Sequence, residues 1–463
     1  MNKFFLVLSA SFLIFAGVGC HSSGNKNATS SADSITALRQ RLADSVKQEF
    51  SYAWDSYVKY AWGHDGLKPL SHSYFDWYPH SLVMTPLDGY DTMVLMGLTS
   101  KADSAKRLIL DSLRFNYDMS VSNFEITIRM LGGLLSAYEL DGDKKFLTLA
   151  TDLANRLIKA YHSPTGMPYR FVNLKTGKTT GDTSNPAEIG TSLLEYGTLT
   201  KLTGDSIYYK TAKKAVVTLF NLRNKKTGLV GDAIDVNTGK WVGKESSISG
   251  GTDSYYEYLL KAWKLFGDQD CKRMWDSTVI AINTHLADTS GGTLWYGHAN
   301  MDTGIINLPY YGALDAFFGG ALALGGDTTR AKSLQESNFK MWELAGLEPE
   351  VLNYRTMQIV NGYYALRPEN LESCYYCYHY THNPEYLYMA RTMFQSIVRY
   401  CRTGGGYAAI KDVRNMTPDD MMESYFLAET LKYAYLIFAP AKTLDFNKVI
   451  FNTEAHPFKI SDL

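Results

Sequence analysis

Several acidic residues, on separate stretches of the 463-residue chain, stand in local settings that suit proton transfer. Glu125 lies in Asn123-Phe124-Glu125-Ile126-Thr127-Ile128-Arg129, one helical turn before Arg129. A carboxyl beside a fixed guanidinium is either a structural pair or an acid oriented for proton delivery. Asp253 follows Gly250-Gly251 and precedes Glu257 by one turn, a pattern that reads as a helix cap or as two acids sharing a site. Glu369 and Glu372 follow Arg367-Pro368, so that Pro opens a helix and the acids face one side of it, for helix-start electrostatics or for chemistry. Glu188 is a further acid of this kind, and Glu429 sits in the middle of the helical stretch that begins near Glu423-Ser424-Tyr425. The segment Phe451-Asn452-Thr453-Glu454-Ala455-His456-Pro457 is an unusual close to a globular domain. A threonine that offers hydroxyl and carbonyl oxygens among carboxylates suits a hard cation such as Ca²⁺, which keeps several waters.

The elements that would position these acids are helical hairpins. A Gly-Asp step recurs at Gly142, Gly204, Gly267 and Gly326, and His382-Asn383 before Pro384 continues the series. Gly supplies the left-handed residue that ends one helix and Asp or Asn caps the next, so each step is a tight turn between antiparallel helices. The period of roughly sixty residues holds two helices and two loops, and the chain beyond its first segment accommodates seven such units. Glu125, Glu188, Asp253 and Glu369 each fall 13 to 17 residues before a turn, near the start of the helix that runs to it. If the turns share one end of a closed ring, the acids share the other, a concentration of like charge that would serve a cation, proton transfer or both. An open α-solenoid with solvated acidic helix starts is the alternative on spacing alone.

The 46 Lys and Arg against 47 Asp and Glu leave a formal net charge of -1, so no global field favours nucleic acid or an anionic membrane surface. The 33 Tyr fit a partner with apolar and hydroxylated faces, as sugars have. At the N-terminus, Lys3 and an apolar run from Phe4 to Val18 lead through Gly17 and Gly19 to Cys20, a secretory signal with a lipobox-like end in which Gly17 stands where Leu is commoner. We therefore expect a signal peptide over residues 1–19, a lipidated Cys20, a polar linker over 20–34 and one catalytic barrel over 35–463. Cys271, Cys374, Cys377 and Cys401 are too few and scattered for a disulfide framework, and Cys374-Tyr375-Tyr376-Cys377 reads as a pair of buried thiols.

Taken in order with Tyr60-Ala61-Trp62-Gly63-His64-Asp65 and Leu87-Asp88-Gly89-Tyr90-Asp91-Thr92-Met93-Val94-Leu95-Met96-Gly97-Leu98, these motifs resemble the calcium-dependent α-1,2-mannosidases of glycoside hydrolase family 47 over nearly the whole mature length. The resemblance implies an all-α fold, an (α/α)7 barrel of seven hairpins, with metal-dependent, inverting removal of α-1,2-linked mannose. It implies Glu125 as general acid and Glu369 or Asp253 as general base, Glu369 being favoured. Thr453 matches a direct Ca²⁺ ligand. Arg129, Glu188, Arg367, Glu372, Glu429 and Glu454 match residues that hold the sugar or metal-bound waters, and Tyr425 an aromatic that packs on the ring. The segment Leu314-Asp315-Ala316-Phe317-Phe318-Gly319-Gly320 lacks the His and Cys of many Golgi-type and fungal members and looks more like the branch that acts in glycoprotein degradation.

The expected partner is a mannose-containing oligosaccharide or a glycoprotein glycan, met by an exported bacterial lipoprotein in the periplasm or at the outer membrane. The branch trimmed and the oligomeric state are left open. Two rivals remain: a non-catalytic mannose-glycan-binding lipoprotein, and another α/α-barrel enzyme such as an epimerase or lyase, which would need a His acting on a ring carbon.

Overall fold

The computed structural model describes residues 26–461 except Gly291, together with Leu463. Its core is a closed ring of seven inner helices: 84–95 (broken at Gly89), 123–141, 186–203 (broken at Thr191-Ser192), Asp253–Phe266, 314–325, Glu369–Thr381 and 426–438. Each packs on the next, and the seventh packs on the first. Seven outer helices surround them, namely Lys26–Tyr60, Thr99–Ser112, Lys144–Leu157, Ile207–Leu222, Gln269–His285, Thr328–Glu343 and Glu385–Cys401. Lys26–Tyr60 docks on the seventh inner helix and so completes the outer layer. The seven-hairpin (α/α)7 expectation is met.

Sequence separates the two layers. In the outer helix Lys144–Leu157, Phe146, Ala150, Leu153, Ala154 and Leu157 form one buried stripe over a solvated face. Cutting Leu153 to Ala there would cost about 2–5 kcal/mol. The inner stretch Phe317–Gly325 is buried almost all round, as a helix between neighbours and an outer layer must be. The turns behave as the Gly-Asp series predicts. Gly142 has φ 81° and Asp143 accepts from the Lys145 N–H, while His382 adopts the left-handed conformation at φ 55° and Asn383 accepts from the Glu385 N–H.

Two features depart from the reading. Residues 26–34, expected as linker, already belong to the first helix, because no Pro or Gly interrupts the chain between Lys26 and Tyr60. At the other end from the Gly-Asp turns, the long connections fold into small two- and three-stranded sheets. These stitch successive loops together: Ser120–Ser122 pairs with Phe171–Asn173, Thr183–Ser184 with Ala233–Asp235, and Tyr310–Gly312 with Val351–Asn353. The result is a collar around the mouth where the inner helices begin. A hairpin of Val449–Phe451 and Pro457–Lys459 follows the last helix and packs against the second and fourth inner helices.

Candidate active site

A cavity of about 280 Å³ opens at the collar end of the ring. It is lined by Glu125, Arg129, Glu188, Asp253, Arg367, Glu369, Glu372, Tyr425, Glu429, Thr453 and Glu454, which are all the catalytic, sugar-holding and cation-binding residues expected from sequence. Glu257 joins them, so that eight carboxyl side chains face two guanidinium groups.

One wall is clamped by Arg129. Its Nε donates to Glu125 Oε2 at 3.0 Å, its Nη1 donates to Glu454 Oε1, and Asp88 Oδ2 lies 3.8 Å away. The guanidinium also lies over the rings of Trp77 and Tyr425, at 5.2 and 5.6 Å from their centroids. The carboxylates around it stabilise its charge so strongly that it stays protonated despite full burial. Ile126–Leu131, immediately after Glu125, forms a π-helical turn, as does Phe426–Thr430 around Glu429. Such turns widen the helix and re-aim side chains where function requires it.

The opposite wall sets Arg367 and Lys261 among Asp253, Glu257, Glu369 and Glu372. Glu369 opens its helix, and one of its oxygens is buried with no partner among the described residues. Burial pushes its carboxyl up to about 7, against the opposing pull of Arg367. Burial likewise raises Asp253 to about 7, with Glu257 and Glu369 adding to the rise, although its Oδ1 accepts the Ser254 N–H at 2.7 Å. Asp253 is the first residue of its helix rather than the cap, which is Thr252. Glu372 is raised to about 8 by burial, Lys261 opposing from 3.8 Å. Arg367 is anchored by a two-pronged contact with Glu350, at 2.6 and 3.2 Å, and Tyr425 donates to the Ala365 carbonyl at 2.6 Å. Glu188 is held by Arg170 at 2.8 and 3.0 Å and by Ser184 at 2.9 Å.

The tip of the 449–459 hairpin forms the floor. Thr453 sits there beside Glu454, and the following Ala455 has φ 58°. The tip fits because Gly132 and Gly133 lack side chains: a Cβ on Gly132 would lie 2.6 Å from Asn452 Nδ2. The glycine pair admits the side chains of Asn452 and His456. Behind the tip, fully buried Lys432 reaches Asp91 Oδ1 at 2.7 Å and the Ala455 carbonyl at 2.6 Å, while His456 Nδ1 meets Asp91 Oδ2 at 2.7 Å. Among the described residues, no three Asp, Glu, His or Cys side chains stand close enough to ligate one ion directly. A hard cation would therefore take the Thr453 oxygens and hold waters whose protons the surrounding carboxylates accept, a donor set that fits Ca²⁺. Burial, with Glu454, Glu369 and Glu372 adding to it, drives Glu429 well above the usual carboxylate range.

The sequence reading missed Asn185, Phe124, Ser254, Leu314 and Phe317 on the lining, and Asp88 and Trp77 beside Arg129. Asn185 left a signal, since it caps the helix that carries Glu188. The four cysteines 271, 374, 377 and 401 are buried and unbonded, as expected. Cys20, with the expected signal peptide, lies outside the described residues. No described helix is long and apolar enough to cross a membrane.

Comparisons with known proteins extend this picture. The sequence profile of glycosyl hydrolase family 47 matches residues 49–460. Human mannosyl-oligosaccharide 1,2-alpha-mannosidase IB is 35% identical over 91% of this chain and 70% of its own length. Human ER degradation-enhancing alpha-mannosidase-like protein 2 is also 35% identical, over 89% of this chain and 76% of its own. The solved alpha-1,2-mannosidase from Trichoderma reesei superposes with a TM-score of 0.84 at 30% identity, covering 91% of this chain and 99% of that one. A profile that spans nearly the whole barrel, and relatives that share it, leave no place for an epimerase or lyase, and the chain belongs to glycosyl hydrolase family 47.

Proposed function

We propose that this family 47 enzyme is a calcium-dependent, inverting exo-α-1,2-mannosidase acting on terminal mannose of high-mannose N-glycans or mannan. The observation that carries the reading is the meeting of Glu125, Asp253, Glu369 and Thr453 in one cavity, from three inner helices and a hairpin. Inversion needs an acid and a base on opposite faces of the sugar, roughly 6.5–9.5 Å apart so that water fits between. Glu125, its orientation fixed by Arg129, delivers a proton to the leaving oxygen. Glu369, with an unpartnered oxygen, accepts the proton of the attacking water, while Asp253, already engaged by Ser254, orients that water. Tyr425 packs on the ring, and Arg367, Glu188, Glu372, Glu429 and Glu454 hold hydroxyls or ordered waters. A bound Ca²⁺ would supply sugar-hydroxyl coordination and charge compensation for the carboxylates around Thr453.

Release of mannose from α-1,2-mannobiose by a protein lacking residues 1–20, with the newborn anomer followed by NMR, tests the reading. We expect β-mannose, lost with a chelator and restored by Ca²⁺. Saturable binding without turnover would move the protein to the rival, a non-catalytic mannose-glycan-binding lipoprotein.

We also infer that the chain is an exported bacterial lipoprotein tethered through Cys20, periplasmic or outer-membrane-associated, from the Lys3, apolar run and Gly-flanked cysteine order. Metabolic labelling with a radioactive fatty acid should mark the full chain and not the Cys20→Ala variant. Label on both would refute the assignment.

A further inference from the structure

Besides Arg129, which grips Glu454 from the cavity lining, the Thr453 tip is fixed by residues outside that lining. Asn452 uses every polar atom of its side chain. Its Oδ1 accepts the Glu454 and His456 N–H groups at 2.9 and 2.8 Å, closing the tip on itself. Its Nδ2 donates to the Ile128 carbonyl and to Glu195 Oε1, both at 2.9 Å. Ile128 lies in the π-helical turn that follows Glu125, where the widened backbone can accept from outside the helix. Glu195, fully buried on the helix stretch Leu193–Thr203, also accepts from the Tyr258 hydroxyl at 2.7 Å. That hydroxyl in turn accepts the Thr453 N–H at 3.3 Å. Tyr258 belongs to the helix that begins at Asp253.

We propose that Tyr258, Glu195 and Asn452 form a positioning relay that sets the Thr453 oxygens for the cation and locks them in register with the helices carrying Glu125 and Asp253. This rests on the reading of Thr453 as the cation's ligand. The relay touches neither sugar nor ion. It acts by denying the hairpin tip any freedom to drift, so the ion site and the acid move as one rigid piece. Partners of this kind typically set metal affinity by 10–100-fold when removed.

The test is calorimetric titration of Ca²⁺ into the chelator-stripped full chain without substrate, with hydrogen exchange at the Thr453 amide measured alongside. Tyr258→Phe removes both of the hydroxyl's bonds while keeping the ring. We expect its Ca²⁺ affinity to fall about 10–100-fold and its Thr453 amide to exchange faster in the metal-free state. Glu195→Gln keeps an oxygen for both donors and should bind as the wild type does. Tyr296→Phe, which loses a buried hydroxyl bond to Asn283 at 2.6 Å far from the tip, controls for a general loss of stability and should also bind normally. A Tyr258→Phe protein with wild-type affinity and wild-type Thr453 exchange would overturn the relay alone. A wild-type protein that takes up no Ca²⁺ would overturn the relay together with the cation reading.

Discussion

The two walls of the cavity are built from the same residue type and held in different ways. Around Arg129, the carboxyls of Glu125 and Glu454 are engaged by one buried guanidinium, which also lies over two aromatic rings. Across the cavity, Asp253, Glu369 and Glu372 are buried too, with Arg367 and Lys261 opposing the rise at the two glutamates, and burial lifts the three to about 7, 7 and 8. The first wall fixes the direction of its carboxyls, although burial raises Glu454 there to about 8 as well, and the second leaves a Glu369 oxygen without a partner among the described residues. Like residues given unlike partners are how one site can ask different roles of the same carboxyl group.

Breaking either wall at its centre should have the largest effect. Glu125→Gln and Glu369→Gln should each lower kcat by about 10²–10⁴-fold, and steady-state kinetics on a mannobiose would show KM changing far less. Equal, full activity in both variants would remove the assignment of the pair. Next, Arg129→Met leaves Glu125, Glu454 and Asp88 around an empty centre. Loss of one partner from such a buried set costs about 3–5 kcal/mol, which urea unfolding would register, whereas Arg367→Met should cost less because its partner Glu350 is only partly buried.

The pH dependence of stability sharpens the comparison. A carboxyl whose ordinary value near 4 rises to about 7 or 8 binds more protons folded than unfolded between those values. The contribution of these carboxyls to the stability of the metal-free protein should therefore be full below about pH 4 and fall as pH climbs through 7 to 8. Glu369→Gln should flatten that slope and melt higher than wild type at pH 8, a gain in stability at the expense of catalysis. A steeper slope would contradict the burial argument. The smallest expected effect is that of Ca²⁺ itself: at about 100 times its Kd it should stabilise by about 2.7 kcal/mol, seen as a higher melting temperature at pH 7 that chelator abolishes.

Much of this was legible in the chain, for physical reasons that differ by region. The Gly-Asp turns announce themselves because only a few residues tolerate the left-handed end of a helix, and Gly142 and Gly204 sit where that rule puts them. The lining acids were legible through their motifs and their common distance from those turns. The collar strands were not, since segments of two to four residues carry too little alternation to register. The π-helical turns at Glu125 and Glu429 also escaped, because a single extra residue in a helix leaves the apolar spacing almost intact. Glu195 and Tyr258 looked like ordinary interior residues, and only the fold brings them to Asn452.

The hairpin of residues 449–459 gives the site an order in time. It follows all seven helix pairs along the chain, yet its tip supplies the cavity floor and its anchors come from the second, third, fourth and seventh inner helices. A ribosome delivers those helices first, and the plug can seat only when the ring around it has formed. Partly folded species lack a floor, so they lack a complete cavity in which to hold and hydrolyse a glycoside. The protein carries its own completion check: activity begins when the last stave is closed and the bung is in.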